Sequence, residues 1–156
     1  MTTAIRWKDE TDAQWLEALI RDQWAGEPLI VHGTEYRLAD CPTLIYGDRE
    51  GAAVFALRSE PAELLLLHAL RPGAGIGSAL IAAVVSAAKE RGHGRLLVTT
   101  TNDNLAALRF YQRRGFRMHG LRVGAVDDAR VRKASIPLEG FNGIRLHDEI
   151  DLVLEI

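Results

Sequence analysis

The stretch that most constrains this chain runs from Ala62 to Arg91. Ala62 to Leu70 is a nearly continuous apolar run, as expected of a strand covered on both faces. Arg71-Pro72-Gly73-Ala74-Gly75-Ile76-Gly77-Ser78 follows as a glycine-rich turn, and apolar residues then recur at 76, 80, 84 and 87. That spacing predicts a helix over 76–91, closed by Gly92 and Gly94. Arg95 to Thr101, rich in Leu, Val and Thr, predicts the next strand. A strand, a helix and a strand in this order form a unit whose strands lie parallel and whose crossover is right-handed. Three glycines at alternate positions allow backbone N–H groups to turn toward one point beside a helix start, which suits phosphate oxygens. Taken alone, the same glycines read equally well as a tight connection.

Two phosphate-binding signatures fail on the letters. A P-loop needs Lys after its last glycine, and none lies near Gly77. A dinucleotide fingerprint needs a third glycine where Ser78 stands, and an acid some twenty residues on, where Thr99-Thr100-Thr101 stand. The second informative stretch is Asn104 to Phe116. Offsets of three, four and seven place Asn104, Ala107, Leu108 and Tyr111 on one helix face, with Tyr111 roughly 10 Å beyond Asn104 along the axis. The plain structural alternative is an amphipathic helix with Asn104 as N-cap and Tyr111 as a core aromatic.

The remainder reads as one α+β domain over residues 1–156, with no repeat, low-complexity tract or linker. Residues 4–8 predict a short strand. Thr11 to Gln14 reads as a capping box opening a helix over 12–24. Residues 29–42 are ambiguous between strand and short helix. Residues 43–46 and 52–58 predict a hairpin, and 116–126 extended structure. Residues 127–143 read as a long loop with a helical turn, and 145–156 as a final half-buried strand. Nineteen basic against twenty-one acidic side chains give a net charge of −2, with sixteen Arg and three Lys in no block, which argues against a nucleic-acid partner. Cys41 is the single cysteine, so no disulfide or CxxC pair exists. His32, His93, His119 and His147 share no metal-ligand spacing, so no metal is expected. The N-terminal stretch lacks the basic start and apolar run of a leader, and no apolar run reaches the length of a membrane span. These features predict a cytoplasmic setting and no membrane partner.

Together, the two motif stretches, (R)xGxGIGSAL and NxxAxxxYxxxGF in their strand–helix–strand–helix frame, resemble the GNAT superfamily of acyl-CoA-dependent N-acyltransferases over residues 62–118. The resemblance implies a mixed, mostly antiparallel central sheet, flanked by helices, with a splayed parallel pair at 62–70 and 95–101. It implies acetyl-CoA as cosubstrate and a primary amine as acceptor, through direct attack in a ternary complex. Carried over by position, Arg71, Gly73, Gly75, Ile76, Gly77 and Ser78 would hold the pyrophosphate. Backbone groups of Leu67, His68 and Ala69 would meet the pantetheine, and Asn104 would touch it. Tyr111 would be the general acid, and a backbone amide near Leu67 the oxyanion donor. Pro72 departs from the family pattern and removes one N–H donor. Glu63 and His68 are the candidate bases; for each, the alternative is an ordinary exposed or packed residue. Trp24 is a candidate wall of the acceptor site, Arg113, Arg114 and Arg117 could neutralise a 3′-phosphate, and Asp148 or Glu149 could meet a cationic amine. The alternatives are a non-catalytic acyl-CoA sensor, a protein N-terminal or lysine acetyltransferase, and a chain whose glycines are only a turn. A homodimer is the oligomeric state that the resemblance suggests.

Overall fold

The computed structural model describes residues 4–58 and 60–156; the first three residues of the N-terminal stretch read for leader features lie outside it. Among the described residues, nine strands and four α-helices follow in the order β1 (Ile5–Trp7), α1 (Ala13–Gln23), β2 (Leu29–Val31), β3 (Thr34–Tyr36), β4 (Thr43–Tyr46), β5 (Gly51–Ala56), β6 (Ala62–Ala69), α2 (Ile76–Glu90), β7 (Arg95–Thr101), α3 (Leu105–Arg113), β8 (Arg117–Arg122), α4 (Ala125–Arg132) and β9 (Glu149–Glu155). Seven strands form one sheet in the order β1-β4-β5-β6-β7-β9-β8, and β2 and β3 form a separate hairpin. Every pairing is antiparallel except β6 with β7. This is the mixed, mostly antiparallel α+β sheet with one parallel pair that the sequence implies.

Each face of the sheet has its own core. On one face, α2 lays Ile76, Leu80, Ile81, Val84 and Ala88 against Phe55, Leu64, Leu96, Val98 and Leu152, with Tyr111 and Phe116 beside them. On the other, α1 brings Leu16, Leu19 and Ile20 onto Ile45, Ala52, Val54, Leu65 and Leu66. The α1 start differs from its expected capping box. Asp9 is the cap: its carboxylate accepts from the Thr11 N–H at 2.8 Å, and Asp12 returns a bond to the Asp9 N–H at 2.9 Å. Asp12 is drawn inward because Arg6 and Arg49 both converge on its carboxylate, so the box sits two residues earlier, on a 3₁₀ turn at Glu10–Asp12.

Two further segments depart from expectation. The ambiguous 29–42 stretch is the β2–β3 hairpin followed by a 3₁₀ turn at Leu38–Asp40. Residues 125–132 are helix rather than loop: α4 starts on Gly124 at φ +75, with Asp127 and Asp128 in its first turn and Arg130 and Arg132 in its last, charges that suit the helix dipole. Its apolar pattern is too sparse to announce a helix by periodicity.

Candidate acyl-transfer site

The site begins where the parallel pair comes apart. β6 and β7 pair at Ala62–Leu96, Glu63–Leu97 and Leu64–Val98, and no further. The cause lies on the other edge of β6, where the register with β5 shifts: Leu66 faces Val54 and Leu64 faces Phe55, leaving Leu65 as an inserted residue. Leu65 and Leu66 therefore both join the α1-side core, while Leu64 and Leu67 pack on the α2 side. Leu67, His68 and Ala69 run on beyond the last β7 pair, half-buried and still bonded to β5. The β7-facing edge of this stretch has no sheet partner.

The glycine turn stands at the end of that edge. Gly73 and Gly75 have φ of +82 and +81, and a Cβ at either would meet nothing, so both are glycine for conformation. Gly77 is glycine for space, since a Cβ there would lie 2.8 Å from the Phe110 ring. Gly75 caps α2 with no side-chain bond, and the first carbonyl bond of the helix is Ala79 N–H to Gly75 O. The N–H groups of Ile76, Gly77 and Ser78 thus point out of the helix without an intrahelical acceptor, at the positive end of a 15-residue helix. These are the properties that fit a pyrophosphate. Arg114, the C-cap of α3, reaches the same place: its Nε donates to Ser78 Oγ at 2.8 Å, and its guanidinium lies 3.4 Å over the Phe110 ring. Arg71 is held by Glu50 across the turn.

On α3, Asn104 caps the helix, its Oδ1 accepting from the Ala107 N–H at 3.1 Å. Tyr111 is 7% exposed and packs edge-on to Phe110 and Phe116, both at 5.3 Å between centroids. Burial pushes its phenol well above the usual range, so it stays protonated at any working pH. No sealed side-chain nitrogen or oxygen among the described residues lacks a partner. The Tyr111 hydroxyl makes no hydrogen bond to another described residue, and the ring belongs to the α2-side core.

The opposite side of the gap leads into a cavity of about 470 Å³, walled by Trp24, Leu29 and Val31, by Val126 and Ala129 of α4, and by Phe141 and Leu146. Leu65 and Thr99 to Thr101, immediately past the last β6–β7 pair, also line it, so the cavity meets the gap. Three charged residues of its lining, Lys133, Asp103 and Glu149, are tied up internally. Lys133 spends its ammonium on the carbonyls of Trp24, Gly26 and Pro28. Asp103 accepts from Thr101 Oγ1 and the Phe141 N–H, and Glu149 accepts from the His32 N–H and Arg122. Glu63, at the start of β6, accepts from Tyr36 Oη at 3.1 Å and lies 2.9 Å from His32 Nε2. That carboxylate raises the His32 imidazole, and burial pushes the Tyr36 phenol up to about 12. His68 sits between the edges of Trp15 and Trp24, and burial lowers it.

With this geometry in place, the sequence comparisons decide the family. Residues 63–116 match the acetyltransferase (GNAT) family model. The chain is 32% identical over 145 residues to the uncharacterized protein YxbD of Bacillus subtilis (strain 168), covering 90% of this chain and 91% of that one. The chain belongs to the GNAT acetyltransferase family. Solved structures share its fold. The IAA acetyltransferase from Bacillus cereus ATCC 14579 superposes with a TM-score of 0.71 at 22% identity, over 99% of this chain and 100% of that one. A GNAT family acetyltransferase from Elizabethkingia anophelis with acetyl-CoA bound gives 0.71 at 22% identity, over 98% and 97%.

Several residues of the candidate site of this GNAT acetyltransferase give no signal in the sequence. Asp103 and Asn102 organise the cavity's far wall: Asn102 Oδ1 accepts from the N–H groups of His147 and Asp148, and Asp103 sits so close to Gly140 that no Cβ fits there. Lys133 gives no signal either, because its three acceptors are backbone groups more than a hundred residues away. His32 lies in the stretch whose letters suit strand and helix alike, so nothing in its spacing points to Glu63. Asp148, considered for an amine, instead holds the Gly124 N–H at the start of α4. Among the described residues, no group of His, Cys, Asp or Glu is gathered as metal ligands, and no helix is long and apolar enough to cross a membrane.

Proposed function

We propose that the protein transfers an acetyl group from acetyl-CoA to a primary amine by direct attack within a ternary complex. The observation that carries this reading is the β6–β7 gap, which joins an uncapped helix start on one side to a cavity on the other. The backbone N–H groups of Ile76, Gly77 and Ser78, with Arg114 adding fixed positive charge, would hold the pyrophosphate. Acetyl-CoA bound there supplies a thioester carbonyl. The unpaired β6 edge from Leu65 to Ala69 would meet the pantetheine, and an amide near Leu67 would donate to the oxyanion, an interaction worth about 3 kcal/mol in comparable sites. Tyr111 Oη would give its proton to the departing thiolate, contributing the ~10²–10⁴-fold usual of a positioned acid. The acceptor would enter through the cavity, its body against Trp24, Leu29 and Phe141. Its proton would pass to the group around Glu63. Cys41 is buried in the α1-side core and does not line the cavity, which fits a route with no covalent enzyme intermediate.

The test has two stages. Calorimetric titration with acetyl-CoA, and separately with ATP and NAD, should give micromolar binding of acetyl-CoA alone, about −8 kcal/mol. Thiol release is then followed with 2-phenylethylamine, 1,4-diaminobutane and a hexapeptide with a free N-terminal alanine. No acetyl-CoA binding refutes the reading. Binding with no thiol release from any of the three favours an acyl-CoA-binding module, and turnover of the peptide alone favours a protein acceptor.

A further inference from the structure

His32 occupies a backbone conformation that needs a reason. It and Gly33 are the two central residues of the β2–β3 turn, both at positive φ (+40 and +76), as a type I′ turn requires. Gly, Asn and Asp are the commonest residues in this geometry and histidine is also enriched at positive φ, so the turn accepts His32 and its contacts fix where the ring goes. Two carboxylates on different strands hold it. Its backbone N–H donates to Glu149 of β9 at 3.0 Å, and its Nε2 lies 2.9 Å from Glu63 of β6. Tyr36, opposite Leu29 on the same hairpin, donates to Glu63 as well.

The register shows where this puts the ring. Glu63 faces Leu97 of β7, Glu149 faces Thr101, and Thr99 lies between them, one residue past the last β6–β7 pair. The two anchors of His32 therefore straddle β7 at the level where the gap opens and where Glu149 and Thr99 line the acceptor cavity. With Nε2 facing Glu63, the carboxylate requires the proton on Nε2 and leaves Nδ1 a bare acceptor, without a partner among the described residues. The side chain keeps 19% of its surface exposed. Around it stand Glu63 on β6, Tyr36 on β3, Glu149 and Asp151 on β9, and Arg122 on β8, which binds both of those β9 carboxylates. Arg132 of α4 holds the next turn residue at the Gly33 carbonyl and pairs with Glu35.

Building on the proposed transfer reaction, we propose that His32 Nδ1 is the proton acceptor for the amine, with Glu63 as the carboxylate that orients the imidazole. One turnover converts an ammonium and a thioester into an amide, a thiol and a proton. The first nitrogen proton passes to Nδ1 and on to solvent. The N–C bond then forms as the carbonyl becomes the oxyanion held near Leu67, its collapse breaks the C–S bond, the thiolate takes the Tyr111 proton, and the second nitrogen proton restores the phenol. Glu63 remains ionised throughout and stabilises the imidazolium.

The test compares His32→Asn with Glu63→Gln in the full chain, using whichever of 2-phenylethylamine, 1,4-diaminobutane and the alanyl hexapeptide the wild type turns over fastest. Asparagine tolerates the positive φ, so His32→Asn keeps the turn; unchanged acetyl-CoA affinity and thermal midpoint verify this. Expected is a fall in kcat/KM on the order of 10²-fold at pH 7, with the acidic limb of the pH profile abolished. In Glu63→Gln that limb persists but moves to lower pH, because the carboxylate that raises the imidazole is gone. An intact limb in His32→Asn, or a limb abolished by Glu63→Gln but kept in His32→Asn, overturns the assignment. Nitrogen NMR of histidine-labelled wild type should find the neutral ring protonated at Nε2; the opposite tautomer also overturns it. A wild type inactive on all three amines refutes the transfer reaction itself, and this role with it.

Discussion

Gly77→Ala separates space from conformation in the glycine turn. In an ordinary helix this change gains about 0.5–1 kcal/mol, because alanine loses less backbone freedom on folding. Here the added Cβ would sit 2.8 Å from Phe110 Cζ and 3.2 Å from Cε2. The ring cannot simply swing away, since the Arg114 guanidinium lies 3.4 Å over its centroid and is itself tied to Ser78 and to the Phe110 carbonyl. Forcing a methyl into such a contact costs about 1–3 kcal/mol. The overpacking wins, and a net loss centred on about 1 kcal/mol and reaching about 2.5 kcal/mol follows, or a few degrees in Tm for a chain of this size. Urea unfolding of four proteins, wild type, Gly77→Ala, Phe110→Leu and the double variant, tests this directly. Shortening the ring relieves the clash, so the double variant should be more stable than the sum of the singles by about 1 kcal/mol or more. The helix start keeps its N–H groups, so acetyl-CoA affinity should change less than stability does. A Gly77→Ala protein more stable than wild type, or additive behaviour with Phe110→Leu, would refute the packing account and return Gly77 to a purely backbone role.

Tyr111→Phe should lower kcat by about 10²-fold or more while leaving acetyl-CoA affinity nearly unchanged, measured by single-turnover thiol release and titration; equal activity would remove the phenol from the acid role. Gly140→Ala would set a Cβ on the Asp103 carboxylate, so that Asp103 must leave the Thr101 hydroxyl and the Phe141 N–H; a raised KM for the amine with little change for acetyl-CoA is expected, and steady-state kinetics in both substrates reads it. Asp12 is fully buried, and the Arg6 guanidinium holds its carboxyl far below the usual carboxylate range. A depressed carboxylate stabilises the fold above its unfolded value near pH 4, and that contribution is lost as the pH falls below it. Asp12→Asn should therefore cost about 2 kcal/mol at pH 7, a figure held down by solvent screening because Arg6 and Arg49 keep 38% and 34% of their side chains exposed. It should also flatten the fall in urea midpoint between pH 5 and pH 3; a slope equal to wild type would contradict the assignment.

What the sequence reveals of this site, and what it hides, follows from how far apart the interacting residues lie. The glycine turn and the α3 motif are local: each is a run of a dozen residues whose backbone geometry is set by its own letters, so the places of Gly75, Asn104 and Tyr111 follow from the sequence. The opening of the β6–β7 pair is less visible. It depends on Leu65 being one residue too many against β5, and a run of four leucines has no alternation from which to read a register. The acceptor side is hidden altogether. Lys133 meets carbonyls 105 to 109 residues away, His32 meets Glu63 across 31 residues and Glu149 across 117, and Asp103 meets Phe141 across 38. Such contacts have no period, and the segments that make them are short. The β2–β3 hairpin has three residues a side and α4 only two turns, so tertiary contacts rather than propensity fix them. The same reasoning explains why a histidine at φ +40 is informative. The turn sets its backbone, and two carboxylates from the strands on either side of β7 fix its N–H and its Nε2 beside the point where β6 and β7 part.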